Sequence, residues 1–177
     1  MTIKKLIVAA IVIAILAGLA FAPPPFDDRT RIANSIVIAR PSDAVFAYVT
    51  MPANWPKWHP ASLAVTGAID HSLAPGEQVT EDFIVAGRKG RVVWTARKRD
   101  ANREWIIEGD VDGRDAGVIT YTLAPVTEGT RFEREFVYPS PTLFFAVLNR
   151  VSIRSRVEEE SAQALQNLKR VLEGAPR

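Results

Sequence analysis

The sequence predicts an α+β fold: an antiparallel sheet of about six to seven strands, one long C-terminal helix on its face, and a separate apolar helix at the N-terminus. Three observations predict it. Residues 31–138 break into short runs rich in β-formers, separated by turn dipeptides. Residues 142–172 contain neither proline nor glycine. Leu6–Ala22 is an uncharged apolar run of about 17 residues between Lys4-Lys5 and Pro23-Pro24-Pro25.

The elements follow in order. Arg31–Ala39 reads as a strand with Ile32, Ile36 and Ile38 on one face. Pro41, Ser42 and Asp43 then form a helix start, because either short side chain accepts from the free N–H groups of a first turn. Val45, Phe46 and Val49 recur at three- and four-residue spacing, so a helix over Ser42–Val49 has one buried face, and Pro52 stops it. Asn54–Pro60 packs Trp55, Pro56, Trp58 and Pro60 into one stiff turn, too apolar for a floppy linker. Leu63–Thr66 is a short strand, and Pro75-Gly76 a turn. Gln78–Val85 puts Val79, Glu81, Phe83 and Val85 on one face, and Gly87–Gly90 turns the chain into the strand Arg91–Arg99. After Asp100–Asn102, the strand Arg103–Val111 aligns Trp105, Ile107 and Val111. Asp112-Gly113 is a hairpin signal. Gly117–Leu123 aligns Ile119, Tyr121 and Leu123, and Glu128-Gly129 turns into Thr130–Tyr138, which alternates Phe132, Arg134, Phe136 and Tyr138. Pro139-Ser140-Pro141 ends the strands. Thr142–Leu172 then reads as one helix whose inner stripe is Phe144, Val147, Leu148, Val151, Val157, Ala164, Leu165, Leu168 and Val171.

The 177 residues suit one domain plus an appendage. The boundaries are 1–22 for a membrane anchor or signal peptide, 23–30 for a proline-rich spacer, and 31–174 for the domain. The formal charge of +2 resides in Lys4 and Lys5, so the remainder is neutral and no nucleic acid is expected as partner. No cysteine is present, which excludes disulfides, thiolate catalysis and a lipidated cysteine. The apolar run is at the short end for a membrane span and long for a signal-peptide core. Ala20-Phe21-Ala22 has the form of a cleavage site, but Pro23 would follow the scissile bond. The segment therefore reads as an uncleaved single-pass anchor through residues 6–22. Cleavage after Ala20 with secretion, or a helix packed in the domain, are the alternatives. Lys4 and Lys5 are expected to stay on the cytoplasmic side of an inner membrane, placing the domain outside the cytoplasm.

The stretch from Arg40 to Ser62, with its proline-led helix followed by Trp55, Trp58 and Pro60, resembles the START-like superfamily, specifically the polyketide cyclase/dehydrase and lipid-transport group (SRPBCC). The resemblance runs from about Ile32 to Leu172. It implies a helix-grip fold, in which a curved sheet wraps a long helix around an apolar cavity. Such a cavity has many candidate linings: Phe83, Trp94, Trp105, Ile107, Tyr121, Phe132, Phe136, Phe144 and Leu148. The same residues would equally fill a solid core.

Polar residues that interrupt apolar faces carry more information, since a buried unpaired charge costs several kcal/mol. Glu81 lies between Val79 and Phe83, Arg134 between Phe132 and Phe136, and the helix stripe passes Arg154, Glu158 and Ser161. They read either as an ion pair at the rim of sheet and helix, or as a polar end that orients a carboxylate or phosphate headgroup on Arg134 or Arg154. His59, Glu81 and Tyr121 are candidate proton-transfer groups, with His59 otherwise a turn residue near the cavity mouth. His71 and His59 lack a third close ligand, so neither metal nor cofactor is expected. The chain carries no GxSxG, GxxxxGK[ST], GxGxxG or HExxH motif, and Gly87-Arg88-Lys89-Gly90 fits a hairpin better than a phosphate cradle.

The leading expectation is a membrane-anchored domain that binds a small hydrophobic or lipid-like ligand, with entry between Phe144–Val151 and the Trp55–Pro60 turn. The alternatives are a cofactor-free cyclase/dehydrase-type enzyme, with Trp55, Trp58 and the proton-transfer trio at its cavity, and an interaction module whose Trp-rich turn meets a partner or bilayer. A smooth apolar cavity with polar groups only at its mouth would favour the first. A buried titratable group of shifted pKa would favour the second, and a filled interior the third.

Overall fold

A computed structural model describes residues 3–174 of the chain. Seven strands form one antiparallel sheet: β1 (Arg29–Ile38), β2 (Ser62–Gly67), β3 (Gln78–Val85), β4 (Arg88–Asp100), β5 (Glu104–Val111), β6 (Arg114–Val126) and β7 (Gly129–Pro139). Their order is β1-β7-β6-β5-β4-β3-β2, so strands two to seven are successive hairpins and the first closes the far edge against the last. Three helical pieces carry the chain from one edge to the other: α2 (Ser42–Val49), a 3-10 turn at Pro52–Asn54, and α3 (Trp55–Trp58). The C-terminal helix runs as α4 (Leu143–Leu148), a π-helical segment at Asn149–Ile153, and α5 (Arg154–Gly174). Together these elements make a helix-grip fold.

Local chemistry accounts for the joints. Pro41 takes the N-cap position of α2, with no side-chain cap from Ser42 or Asp43; Asp43 accepts only from the adjacent Ala44 N–H, at 2.8 Å. The Trp-rich stretch is a short helix rather than an open turn, because Pro56 lies in its first turn, where its missing N–H costs nothing. The β3–β4 turn is tighter than Gly87–Gly90. Ala86 and Gly87 alone take it, at φ 48° and 80°, and Gly90 belongs to β4. A Cβ at Gly90 would come within 2.5 Å of the Phe83 ring across the strand pair, so its bare backbone lets that ring lie on the sheet.

The long helix departs most from expectation. Phe144, Val147 and Val151 do not belong to an inner stripe: they are exposed, at 49%, 58% and 77%. Phe145, Ala146, Asn149 and Ile153 face inward or partly inward instead. LFFAVL is apolar on every side, so its composition carries no phase. Buried Asn149 fixes the phase, accepting from Tyr138 Oη at 2.8 Å and donating to Thr30 Oγ1 at 2.6 Å. Over α5 the buried stripe is Val157, Ser161, Ala164, Leu165, Leu168 and Leu172. Leu172 therefore takes the place expected of Val171.

The core is divided. Trp58, Trp105, Phe132, Ile107 and Leu168 belong to the large cluster, while Ile32, Tyr138 and Val157 form a small one under α4. The N-terminal helix α1 (Ile3–Phe21) contributes nothing to either. It is long and apolar enough to cross a membrane, and none of its residues is buried, unlike those of a helix packed into a core. Met1 and Thr2 of the expected anchor lie outside the described residues.

Candidate functional site

Between the two clusters, the concave face of the sheet and the C-terminal helix enclose a cavity of about 680 Å³. Its deep end is built by Trp55, Trp58 and His59 from α3 and its C-terminal cap, with Trp94, Ile107 and Tyr121 from the centre of the sheet. Phe83, Phe136, Phe145, Leu148 and Val157 form apolar walls. Exposed Arg88, Lys89, Arg114, Asp115 and Arg156 mark the mouth, which therefore lies between two hairpin tips and the α4–α5 junction. That corrects the expected entry: α3 is floor, not gate. Trp55 and Trp58 are 4% and 1% exposed, so neither indole is presented on the surface.

Among the expected site residues, Trp55, Trp58, His59, Glu81, Phe83, Trp94, Tyr121, Arg134, Phe136 and Leu148 meet at this cavity. Three do not. Trp105 is fully buried in the solid core, its indole N–H donating to the Leu73 carbonyl at 3.2 Å. Phe144 points outward against Phe21, with ring centroids 6.1 Å apart. Arg154 lies on the surface, 3.7 Å from Glu158.

The polar groups at the deep end set its chemistry. Arg134 is 5% exposed. Its Nη1 donates to Ser161 Oγ at 3.1 Å, its guanidinium lies 5.6 Å from the Phe136 ring centre, and its Nε has no partner. Glu81 does not pair with it at a rim as expected; the Glu81 carboxylate instead accepts from the Trp94 indole at 2.7 Å. Burial pushes the Glu81 carboxyl above its ordinary range despite that bond and the nearby Arg134 cation. Burial also drives His59 well below the usual imidazole value, with Arg134 adding to the effect, so His59 is neutral. Its Nδ1 accepts from the Ala61 N–H at 3.2 Å, which leaves the proton on Nε2, and Nε2 has no partner. Burial raises Tyr121 to about 12, against the pull of Arg134.

Three of the four indoles donate to a protein acceptor; the Trp58 N–H does not. Trp58 Nε1, His59 Nε2 and Arg134 Nε are thus three buried donors without acceptors on residues that share one cavity. Sequence reasoning singled out all three residues, but not this common property. It read Arg88 and Lys89 only as part of a hairpin turn, and it did not single out Arg114 or Arg156, since single basic residues on a hairpin tip or an exposed helix face carry no sequence signal. His71 lies elsewhere, exposed between Asp70 and Glu77, with nitrogen–oxygen distances of 2.8 and 3.0 Å. No group of three or more potential metal ligands occurs among the described residues.

The fold is shared with solved structures. A protein from Thermus thermophilus superposes with a TM-score of 0.66 at 16% identity, covering 83% of this chain and 100% of that one. A protein from Rhodobacter sphaeroides gives 0.63 at 20% identity, covering 84% and 95%. A protein from Mesorhizobium loti gives 0.61 at 16% identity, covering 84% and 100%. No curated protein matches the sequence. The family described as polyketide cyclase / dehydrase and lipid transport matches residues 29–173, from the first residue of β1 to the last turn of α5. With the helix-grip fold and its cavity in place, the chain belongs to that family.

Proposed function

We propose that this chain is a membrane-anchored binding protein for a small apolar ligand bearing an oxygen-rich head, held head-first in the cavity as carrier or sensor. The observation that carries this reading is the set of unpartnered donors at the deep end of a cavity whose walls are apolar and whose floor also holds Glu81. Leaving a buried donor unmet costs roughly 1–3 kcal/mol. Carboxylate, phosphate or carbonyl oxygens on a ligand would relieve all three at once, while its tail lies against Phe83, Phe136 and Leu148. Lys4 and Lys5 favour an α1 that stays in an inner membrane with the domain extracytoplasmic; cleavage of α1 would release the same binder.

The test is native mass spectrometry of the full chain released from lipid nanodiscs, followed by extraction of whatever is bound. A stoichiometric amphiphile with an acidic or carbonyl head supports the proposal. An empty cavity that also refuses fluorescent fatty-acid probes rejects it.

A second reading is cofactor-free proton transfer, and one observation favours it: the shifted titratable groups are at the floor, not the mouth. Glu81 is the better candidate there than His59, whose lone pair is already engaged by the Ala61 N–H. Conversion of a bound ligand by the native chain, abolished in Glu81→Gln with binding retained, would establish this reading.

A further inference from the structure

We propose that the cavity mouth opens directly onto the phospholipid bilayer, with the outer face of α4 seated in the headgroup layer. The inference rests on reading α1 as a membrane helix and extends the ligand-binding reading: the leaflet itself would supply the ligand.

The argument starts at the junction of α1 and α4. The Leu143 N–H donates to the Ala22 carbonyl at 3.0 Å, and the Phe21 ring lies against Phe144. The proline segment is held at its other end as well. The Ser140 N–H donates to the Asp28 carbonyl at 2.8 Å, and Arg150 pairs with the Asp28 carboxylate at 3.1 Å. Pro23-Pro24-Pro25 therefore does not stand the domain off from its anchor; it clamps α4 to the end of α1. A helix of 19 residues is about long enough to cross the hydrocarbon, so its last residue marks the interface. Phe144, at 6.1 Å from Phe21, is at that interface too.

The surface there has the matching chemistry. Phe144, Val147 and Val151 recur at three- and four-residue spacing and are all exposed, as is Phe26 on the spacer. The opposite side of the same helix, Phe145 and Leu148, lines the cavity. One thin helix thus separates a ligand site from the proposed lipid. Around the mouth stand Arg88, Lys89, Arg114 and Arg156, and none of them is in an ion pair among the described residues; Asp115, the acidic member, is taken by Arg29 at 2.7 Å. Apolar residues flanked by unpaired cations suit the headgroup boundary of an anionic leaflet.

The cysteine-free sequence allows a direct test. Val147→Cys, Thr66→Cys and Ile13→Cys, each in the full chain, are labelled with an environment-sensitive fluorophore and reconstituted into phosphatidylcholine/phosphatidylglycerol vesicles. Quenching is read with spin-labelled lipids. Thr66 is on edge strand β2, away from α4, and Ile13 is mid-helix in α1. The expected result is a blue shift and loss of fluorescence at Val147 and Ile13 but not at Thr66, with the Val147 signal weakening in purely zwitterionic vesicles. Quenching at Ile13 with none at Val147 overturns the docked mouth while leaving the anchor intact. No quenching at either overturns both. A Val147 signal shielded from lipid but giving energy transfer between labelled chains overturns the proposal in favour of a second copy of the chain. Ligand capture is measured separately by mass spectrometry, so loss of either reading is recognisable on its own.

Discussion

Single residues decide what this cavity holds. Arg134 is a buried cation that uses one donor on Ser161 and leaves another unmet. Arg134 is in no ion pair among the described residues, so an apolar side chain of similar length removes a costly buried charge without orphaning a partner charge. Arg134→Met is therefore expected to keep its melting temperature while its affinity for a fatty-acid probe falls about tenfold to a hundredfold, the worth of a hydrogen bond to a charged group. Parallel thermal melts and probe titrations check both halves. Trp58, at 1% exposure, is an anchor as well as a donor. Trp58→Ala should lose roughly 3–5 kcal/mol in urea denaturation.

The two histidines predict opposite responses to pH. His59 is held neutral by burial, so the unfolded chain binds its proton more readily than the folded one. Its contribution is complete above the unfolded value near 6.5 and is lost as pH falls below it. His71 is raised by Asp70 and Glu77. Its contribution is complete below that value and is lost as pH rises through the folded pKa. Denaturation midpoints between pH 7 and 5 should fall less steeply in His59→Gln than in the native chain. An unchanged slope would mean that His59 is reached by solvent.

At the scale of elements, strand parity and the phase of α2 and α5 were readable, and the phase of α4 was not. Val79, Trp94, Trp105, Tyr121 and Phe132 are buried from alternating positions, because a pleated strand gives every second residue the same face. Parity says which face a side chain takes, but not whether it meets protein or space. Trp94 and Trp105 show the difference: both point to the concave side, yet one lines the cavity and the other is sealed under Leu73. Gly90 and Gly109 keep that face open. An added Cβ at Gly109 would reach within 2.7 Å of the Trp94 ring, and one at Gly90 within 2.5 Å of Phe83. Gly109→Ala should cost about 1–3 kcal/mol, the usual penalty of overpacking, and should weaken probe binding by moving Trp94 into the cavity. Calorimetry with a probe titration measures both.

At the scale of the whole molecule, α1 and the rest of the chain share no buried residue but are geometrically tied. No residue of α1 is buried, so the chain from Asp27 onward should unfold at nearly the same denaturant concentration as the full chain. A large drop would show that the clamp at Ala22 and Leu143 supports the fold. The cavity itself sets the reverse expectation: a ligand at 100 times its dissociation constant should raise stability by about 2.7 kcal/mol.

The sequence by itself determined the order of strands and helices, the apolar N-terminal helix, the family, and the polar interruptions Glu81 and Arg134. Each is written in local periodicity, turn residues or a short motif. The tertiary structure alone decided the rest. It turned Phe144, Val147 and Val151 outward, because a segment apolar on all sides takes its phase from what it packs on, here Asn149 against Tyr138 and Thr30. It placed the Trp-rich segment at the floor rather than the mouth. It also left the donors of Trp58, His59 and Arg134 together without acceptors, since whether a buried N–H finds a partner depends on residues far apart in the chain.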